Sequence, residues 1–248
     1  MDALEIAAGI AVVAGAALQS ATGFGFGLTS APLLFAAAEP ERAVGLLIVL
    51  GLEVNLLTLG TEGRRPEPLA CDAITILAYG IPGLFAGVLA LRALGSTALQ
   101  VAVTIGVLAT LAVRALARRR ATLRPAEPPR WMAPAAGFAS GALTTSTNTS
   151  GPPIVLYALA RGATPVQTRD TLTVTFIGFG ALGAAALALG GADWVPSAEA
   201  LAVLVPAVVL GHLAGRPVFA RLAEDRYEPV LTAVLVLTAL AGLATALF

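Results

Sequence analysis

The sequence predicts an all-α polytopic membrane protein made of two inverted-topology repeats, each with a broken or re-entrant helix pair plus three spanning helices. Three observations predict it. The 248 residues are 57% apolar and 12% charged, with a mean hydropathy of +0.86, whereas a soluble domain carries roughly 25% charged residues. Apolar runs close to the ~20 residues that cross a bilayer recur along the whole chain. Two polar stretches rich in glycine and hydroxyl groups, Gln19–Gly27 and Thr144–Pro153, interrupt that pattern at corresponding points of the two halves. The alternating ten-residue strands of a membrane barrel are not found.

The first repeat, residues 1–117, opens on the acidic Met1-Asp2-Ala3-Leu4-Glu5. A signal peptide would be basic there, so this is the expected start of the first membrane segment, 3–19. The polar interruption follows, then 28–37, which is too short to span. Apolar segments at 42–60, 72–91 and 97–116 complete the repeat. Residues 118–130, from Arg118-Arg119-Arg120 through Arg124, Pro128 and Pro129 to Arg130, form a basic linker and the one clear boundary. The second repeat, 131–248, mirrors the first, with segments at 131–145, 152–160, 171–189, 197–214 and 227–247.

Arginine placement sets the orientation, because positive charge is retained in cytoplasmic loops. The linker, Arg64, Arg65, Arg161, Arg169, Arg216, Arg221 and Arg226 then share the cytoplasmic side. Both termini, Glu39–Arg42, Arg92 and Gly190–Ser197 fall outside, so the halves enter the membrane in opposite senses. Trp131 and Trp194 lie at opposite interfaces. Ile81–Gly87 with Arg92 is echoed by Val205–Gly211 with Arg216, and Pro32–Phe35 by Pro153–Leu156. The expected setting is a bacterial inner membrane.

Broken helices in matching positions of two inverted repeats are a secondary-transporter plan, with the ligand at the midplane. Half-helices starting near Leu28 and Pro152 would aim unpaired N–H groups and partial positive charge at an anion. Gly23, Gly25, Gly27 and Gly151 would let backbone approach it. Thr22, Thr29, Ser30, Thr147, Asn148, Thr149 and Ser150 would supply neutral donors, and Pro152 or Pro153 suits a first helical position. Glu53 and Asn55 lie deep in the third segment, where a carboxyl is a functional candidate for proton coupling. His212 is a further coupling candidate. Gly83–Gly87 and Gly211–Gly215 read as close helix packing. Asp72, Arg92 and Arg216 read as snorkelling segment ends.

Other classes find little support. Net charge is zero, so no nucleic-acid partner is indicated, and one Cys71 and one His212 exclude cysteine- or histidine-based metal sites. Gly23–Gly27 follows no strand and lacks dinucleotide spacing. No cofactor is expected, and an intramembrane enzyme would need a nucleophile–base pair that is not evident. The expected partners are a small anion and the lipid bilayer, with homodimerisation left open. An anion channel, or a permease for a small carboxylate or inorganic anion, stays open as an alternative.

Gly23–Gly27 leading to Pro32, Ser150-Gly151-Pro152-Pro153-Ile154-Val155-Leu156-Tyr157, and the two halves around a charged linker resemble the TauE/SafE family, the sulfite exporter family of permeases. The resemblance spans essentially the whole chain. It implies a plasma-membrane transporter exporting sulfite, sulfoacetate or related organosulfur anions. The family's second loop is commonly glycine-rich, whereas here Thr147-Asn148-Thr149-Ser150 precedes Gly151, which puts the identity of the anion in question.

Overall fold

Hydroxyl side chains inside apolar helices decide where those helices end. In the computed structural model, which describes residues 3–95, 98, 128–221, 229, 230 and 233, eight helices are seen among the described residues. They are α1 (Ala3–Thr22), α2 (Phe26–Ala37), α3 (Pro40–Thr61), α4 (Ala70–Ala93), α5 (Met132–Thr147), α6 (Gly151–Ala160), α7 (Pro165–Leu189) and α8 (Ala198–Arg221). The expected spans at 97–116 and 227–247, and linker residues 118–127, lie almost wholly outside the described residues. α1, α3, α4, α7 and α8 are long and apolar enough to cross a membrane, which makes this a polytopic α-helical membrane protein. α2 and α6, with 12 and 10 residues, reach only about 18 and 15 Å, short of a ~30 Å hydrocarbon core.

The polar interruptions are narrower than the sequence implied. α1 runs on through Gln19 to Thr22, and α5 runs through Thr144 to Thr147. Thr22 Oγ1 donates to Leu18 O at 2.8 Å, Thr144 Oγ1 to Ser140 O at 2.8 Å and Ser146 Oγ to Ala142 O at 2.7 Å. A hydroxyl that bonds back one turn needs no water, so the helix continues. α7 likewise starts six residues before its apolar run, at a capping box in which Gln167 N donates to Thr164 Oγ1 and Pro165 takes the first turn.

Both broken pairs double back as helical hairpins. Ser30 Oγ of α2 donates to Ala11 O of α1, at 3.2 Å, and Ser140 Oγ of α5 donates to Ser150 O at the start of α6, at 2.8 Å. The helix ends collect on two faces. On one, Arg42 pairs with Asp193 at 2.7 Å and Arg92 donates to Gly190 O. On the other, Arg64 pairs with Asp170 at 2.7 Å, Arg161 with Asp72 at 3.3 Å, and Leu69 N donates to Thr171 Oγ1.

α3 and α7 pack together at the centre. α1 lies on α8, and α4 lies on α5, through small residues. Gly83 meets Phe138 O, Gly141 meets Gly80 O, and Gly215 meets Ala17 O, so a Cβ at any of these would collide with backbone. Membrane helices gain contact by this close approach rather than by a hydrophobic drive between them. Gly141→Leu is therefore expected to lower stability by about 1–3 kcal/mol. Gly60→Ala, where an added Cβ meets nothing within 4 Å, serves as the control. Thermal unfolding in detergent measures both, and equal melting temperatures would contradict the packing.

Candidate functional site

Each hairpin turns through backbone in the left-handed region. Gly23 and Gly25 sit at φ 90° and 114°, and Asn148 at φ 55°. Glycine occupies this region at no steric cost, and asparagine tolerates it best among side-chain-bearing residues. That accounts for an asparagine where a glycine-rich loop would otherwise serve. The two tips touch: Gly27 abuts the Asn148 carbonyl, and Gly151 faces the Phe24 ring.

Where the tips meet the middles of α3 and α7, they enclose a polar cavity of about 30 Å³. A water needs roughly 10–15 Å³ of such space, so the cavity suits a ligand of very few atoms. Its walls are Gln19, Phe24–Leu28, Ile48, Gly51, Leu52, Asn55, Thr144, Asn148–Gly151, Phe176, Phe179 and Gly180, none of them charged. Gly27 and Leu28 in α2, and Gly151 in α6 beside its N-cap Ser150, belong to the first turns of their helices, whose N–H groups have no intrahelical acceptor. Pro152 and Pro153 have no N–H to leave unmet. The two short helices thus present their positive ends to one small space lined by phenylalanines.

Side chains hold the tips in place. Gln19 donates Nε2 to Asn55 Oδ1 at 3.0 Å and accepts from Phe26 N at 3.1 Å, capping α2. Asn148 Nδ2 donates to Leu47 O at 2.8 Å, tying the second tip to α3. Asn55 Nδ2 donates to Gly51 O.

Of the residues picked from sequence, the structure brings Gly25, Gly27, Asn55, Asn148, Thr149, Ser150 and Gly151 to this cavity. Thr22, Gly23, Thr29, Ser30 and Thr147 do not line it. Thr22 bonds Leu18 O and Phe24 O, Thr29 bonds Gly25 O, Ser30 bonds Ala11 O, and Thr147 pairs with Thr149 at 2.8 Å. Their hydroxyls are used up on local backbone or on each other. Gly23 packs on Arg169 instead.

Among the coupling candidates, only Asn55 reaches the cavity. Glu53 lies on another face of α3, half-buried in an apolar groove with Val49, Leu52, Leu56, Leu57, Gly60 and Thr61. Among the described residues nothing pairs with its Oε2. His212 is buried, bridging Ser20 Oγ at 2.8 Å and Thr61 Oγ1 at 2.9 Å. Gln19, Thr144 and the four phenylalanines were missed as lining residues. The signal for Gln19 was its place at the very start of the interruption, one long side chain's reach from the turn.

A charged cluster stands near the first tip. Arg169, 1% exposed, pairs with Glu62, donates Nη2 to Ser20 O at 2.8 Å and lies 4.0 Å over the Phe219 ring. Arg64 pairs with both Glu62, at 2.6 Å, and Asp170. The hydrogen bonds that Arg64 donates to the Asp170 carboxylate raise the Arg64 pKa above the ordinary guanidinium value. Arg169 and Asp170 are both buried.

Spanning helices, with paired half-length helices meeting at a buried uncharged cavity, define a membrane protein of the transporter class. The family model for sulfite exporter TauE/SafE matches residues 7–242, and the chain belongs to that family, a family of membrane transporters and not of enzymes. No curated protein and no solved structure matches the chain.

Gln19→Leu removes the cap on Phe26 N and the partner of Asn55 together. The variant is expected to lose about 1–3 kcal/mol, the cost of buried polar groups left unpaired. A melting temperature in detergent equal to that of the wild type would show that Gln19 does not hold the tip.

Proposed function

We propose that this chain is a secondary transporter, working as an exporter, of a small organosulfur or sulfite-like anion bound at the midplane between the α2 and α6 tips. The observation that carries this is the pair of opposed helix N-termini around an uncharged cavity. N–H dipoles offer several partial positive charges, enough to replace part of an oxyanion's hydration without a fixed cation that would retain it. The phenylalanine walls keep out water and strengthen those dipoles. Ser150 adds a neutral hydroxyl, and Asn148 and Asn55 each keep one amide N–H beyond those given to Leu47 O and Gly51 O.

The halves 1–117 and 131–248 are read as inverted repeats around a cytoplasmic linker, with both termini outside. Exchanging the halves turns the α1–α8 contact into α5–α4, and α2–α3 into α6–α7, while α3–α7 maps onto itself. That pairing supports the repeat. Glu53 is the proposed proton carrier: among the described residues its Oε2 has no partner, and its surroundings at mid-helix are apolar.

Thermal stabilisation by sulfite, sulfate, sulfoacetate, taurine, acetate and phosphate tests the site. A ligand bound only by the folded state at a hundred times its Kd adds about 2.7 kcal/mol. We expect a selective shift with sulfite or sulfoacetate, reduced in Asn148→Ala and Ser150→Ala. Undiminished affinity in both variants would sink the site. For coupling, Glu53→Gln is expected to abolish uphill flux driven by a proton gradient while preserving counterflow exchange in proteoliposomes. Normal uphill transport would remove Glu53 as carrier.

A further inference from the structure

Residues seven apart on a helix are two turns, roughly 10 Å, apart on nearly the same face. On α3 that spacing puts Glu41, Ile48, Asn55 and Glu62 in one column, Glu62 being the helical C-cap. On α7 it aligns Arg169, Phe176, Gly183 and the C-cap Gly190. The columns meet in antiparallel register at four levels. Glu62 pairs with Arg169, and Asn55 and Phe176 both line the cavity. Gly183 sits against Ile48, while Arg92 joins Glu41, at 3.5 Å, to Gly190 O. The cavity therefore lies on a seam that has an ion pair with a glutamate at each end.

The two ends differ. The Glu62–Arg169 side chains are 14% and 2% exposed, and the Glu41–Arg92 side chains 27% and 51%. The ion pair at the Glu62 end is the more deeply buried of the two. Arg169 is also the buried cation nearest in line with the cavity on that side, about two turns from Phe176.

We propose that the Glu62–Arg169 pair is the gate at that end of the pathway, and that Glu62 keeps the place of the transported anion on the Arg169 guanidinium. An anion moving along the seam takes the guanidinium. Glu62 then falls back on Arg64, with which it already pairs at 2.6 Å and which is 33% exposed. Neither charge is left buried and uncompensated during the exchange, which is what makes breaking a buried pair feasible. The carbons of Arg169 rest on Gly23 and its Nη2 holds Ser20 O, so displacement of this side chain is transmitted to the first hairpin tip. The place-holding part rests on the anion reading of the cavity, whereas the gate itself does not.

The test uses the full chain in a Cys71→Ser background with Ser150→Cys placed in the cavity. A membrane-impermeant maleimide is applied to each face of sealed vesicles. Glu62→Gln and the double variant Glu62→Gln/Arg169→Gln are expected to label about tenfold faster from the face bearing Arg64, as an opened gate raises the accessible population, with no change from the other face. The double variant carries no lone buried charge, so it decides the matter even where the single variant does not assemble. Unchanged labelling from the Arg64 face overturns the gate. With Ser150 retained, sulfite binding by thermal shift is expected to tighten about fivefold to tenfold in Glu62→Gln, because a charge-assisted contact becomes free, and not in the double variant. Unchanged sulfite affinity in Glu62→Gln overturns the place-holding role. A wild type that no anion stabilises counts against the cavity reading, while the labelling still decides the gate.

Discussion

Backbone that leaves the helix within a membrane must find partners in the protein, since lipid offers none. Both hairpin tips are under that constraint, and much of the polar chemistry in this chain answers it. Gln19 takes Phe26 N, Ser140 supplies a donor to Ser150 O, Arg169 holds Ser20 O, and Asn148 reaches Leu47 O. What the proteins of a soluble fold leave to water is done here by a few long or hydroxyl-bearing side chains. The first turns of α2 and α6 reach the cavity, and in the proposed function their N–H groups are the ones a ligand would take.

Charge is kept out of the cavity and placed toward the two faces. Most of the ion pairs gather at the two ends of α3, with partners from α4, from the start of α7 and from the loops after α3 and α7, and Arg161 pairs with Asp72 near the start of α4. A cation at the midplane would need permanent compensation by an acid, and the site would then bind an anion at the expense of releasing it. Dipoles from two helix ends avoid that problem, because they need no counter-ion when the site is empty.

Much of the site was legible because polar residues in an apolar chain stand out. The tips, the half-length helices and seven of the lining residues follow from that contrast. The exact breaks did not, since Thr22, Thr144 and Thr147 look like loop residues but satisfy themselves inside the helix. Gln19 acts across a turn of seven residues, a distance that no local pattern marks. Glu53 and Asn55 were grouped by depth. Two positions on an α-helix differ by about 200° in direction, so only one of them can face the cavity, and periodicity alone would have separated them.

Each tip is fastened by the central helix of the opposite half. Ser20 O, near the first tip, is held by Arg169 of α7, and Asn148, at the second, holds Leu47 O of α3. α3 and α7 are also the pair whose columns enclose the cavity. A shift of α3 against α7 would therefore displace both tips at once, in relation to each other and to the cavity between them. Conformational coupling needs an element with two arrangements that both sites bias, and the seam, to which both tips are fastened, is where the proposed gate would supply it. Asn148 matters to that coupling twice over, since it supplies the left-handed turn and also the bond to α3. A glycine would supply only the turn, leaving the second hairpin free of the helix that sets its position.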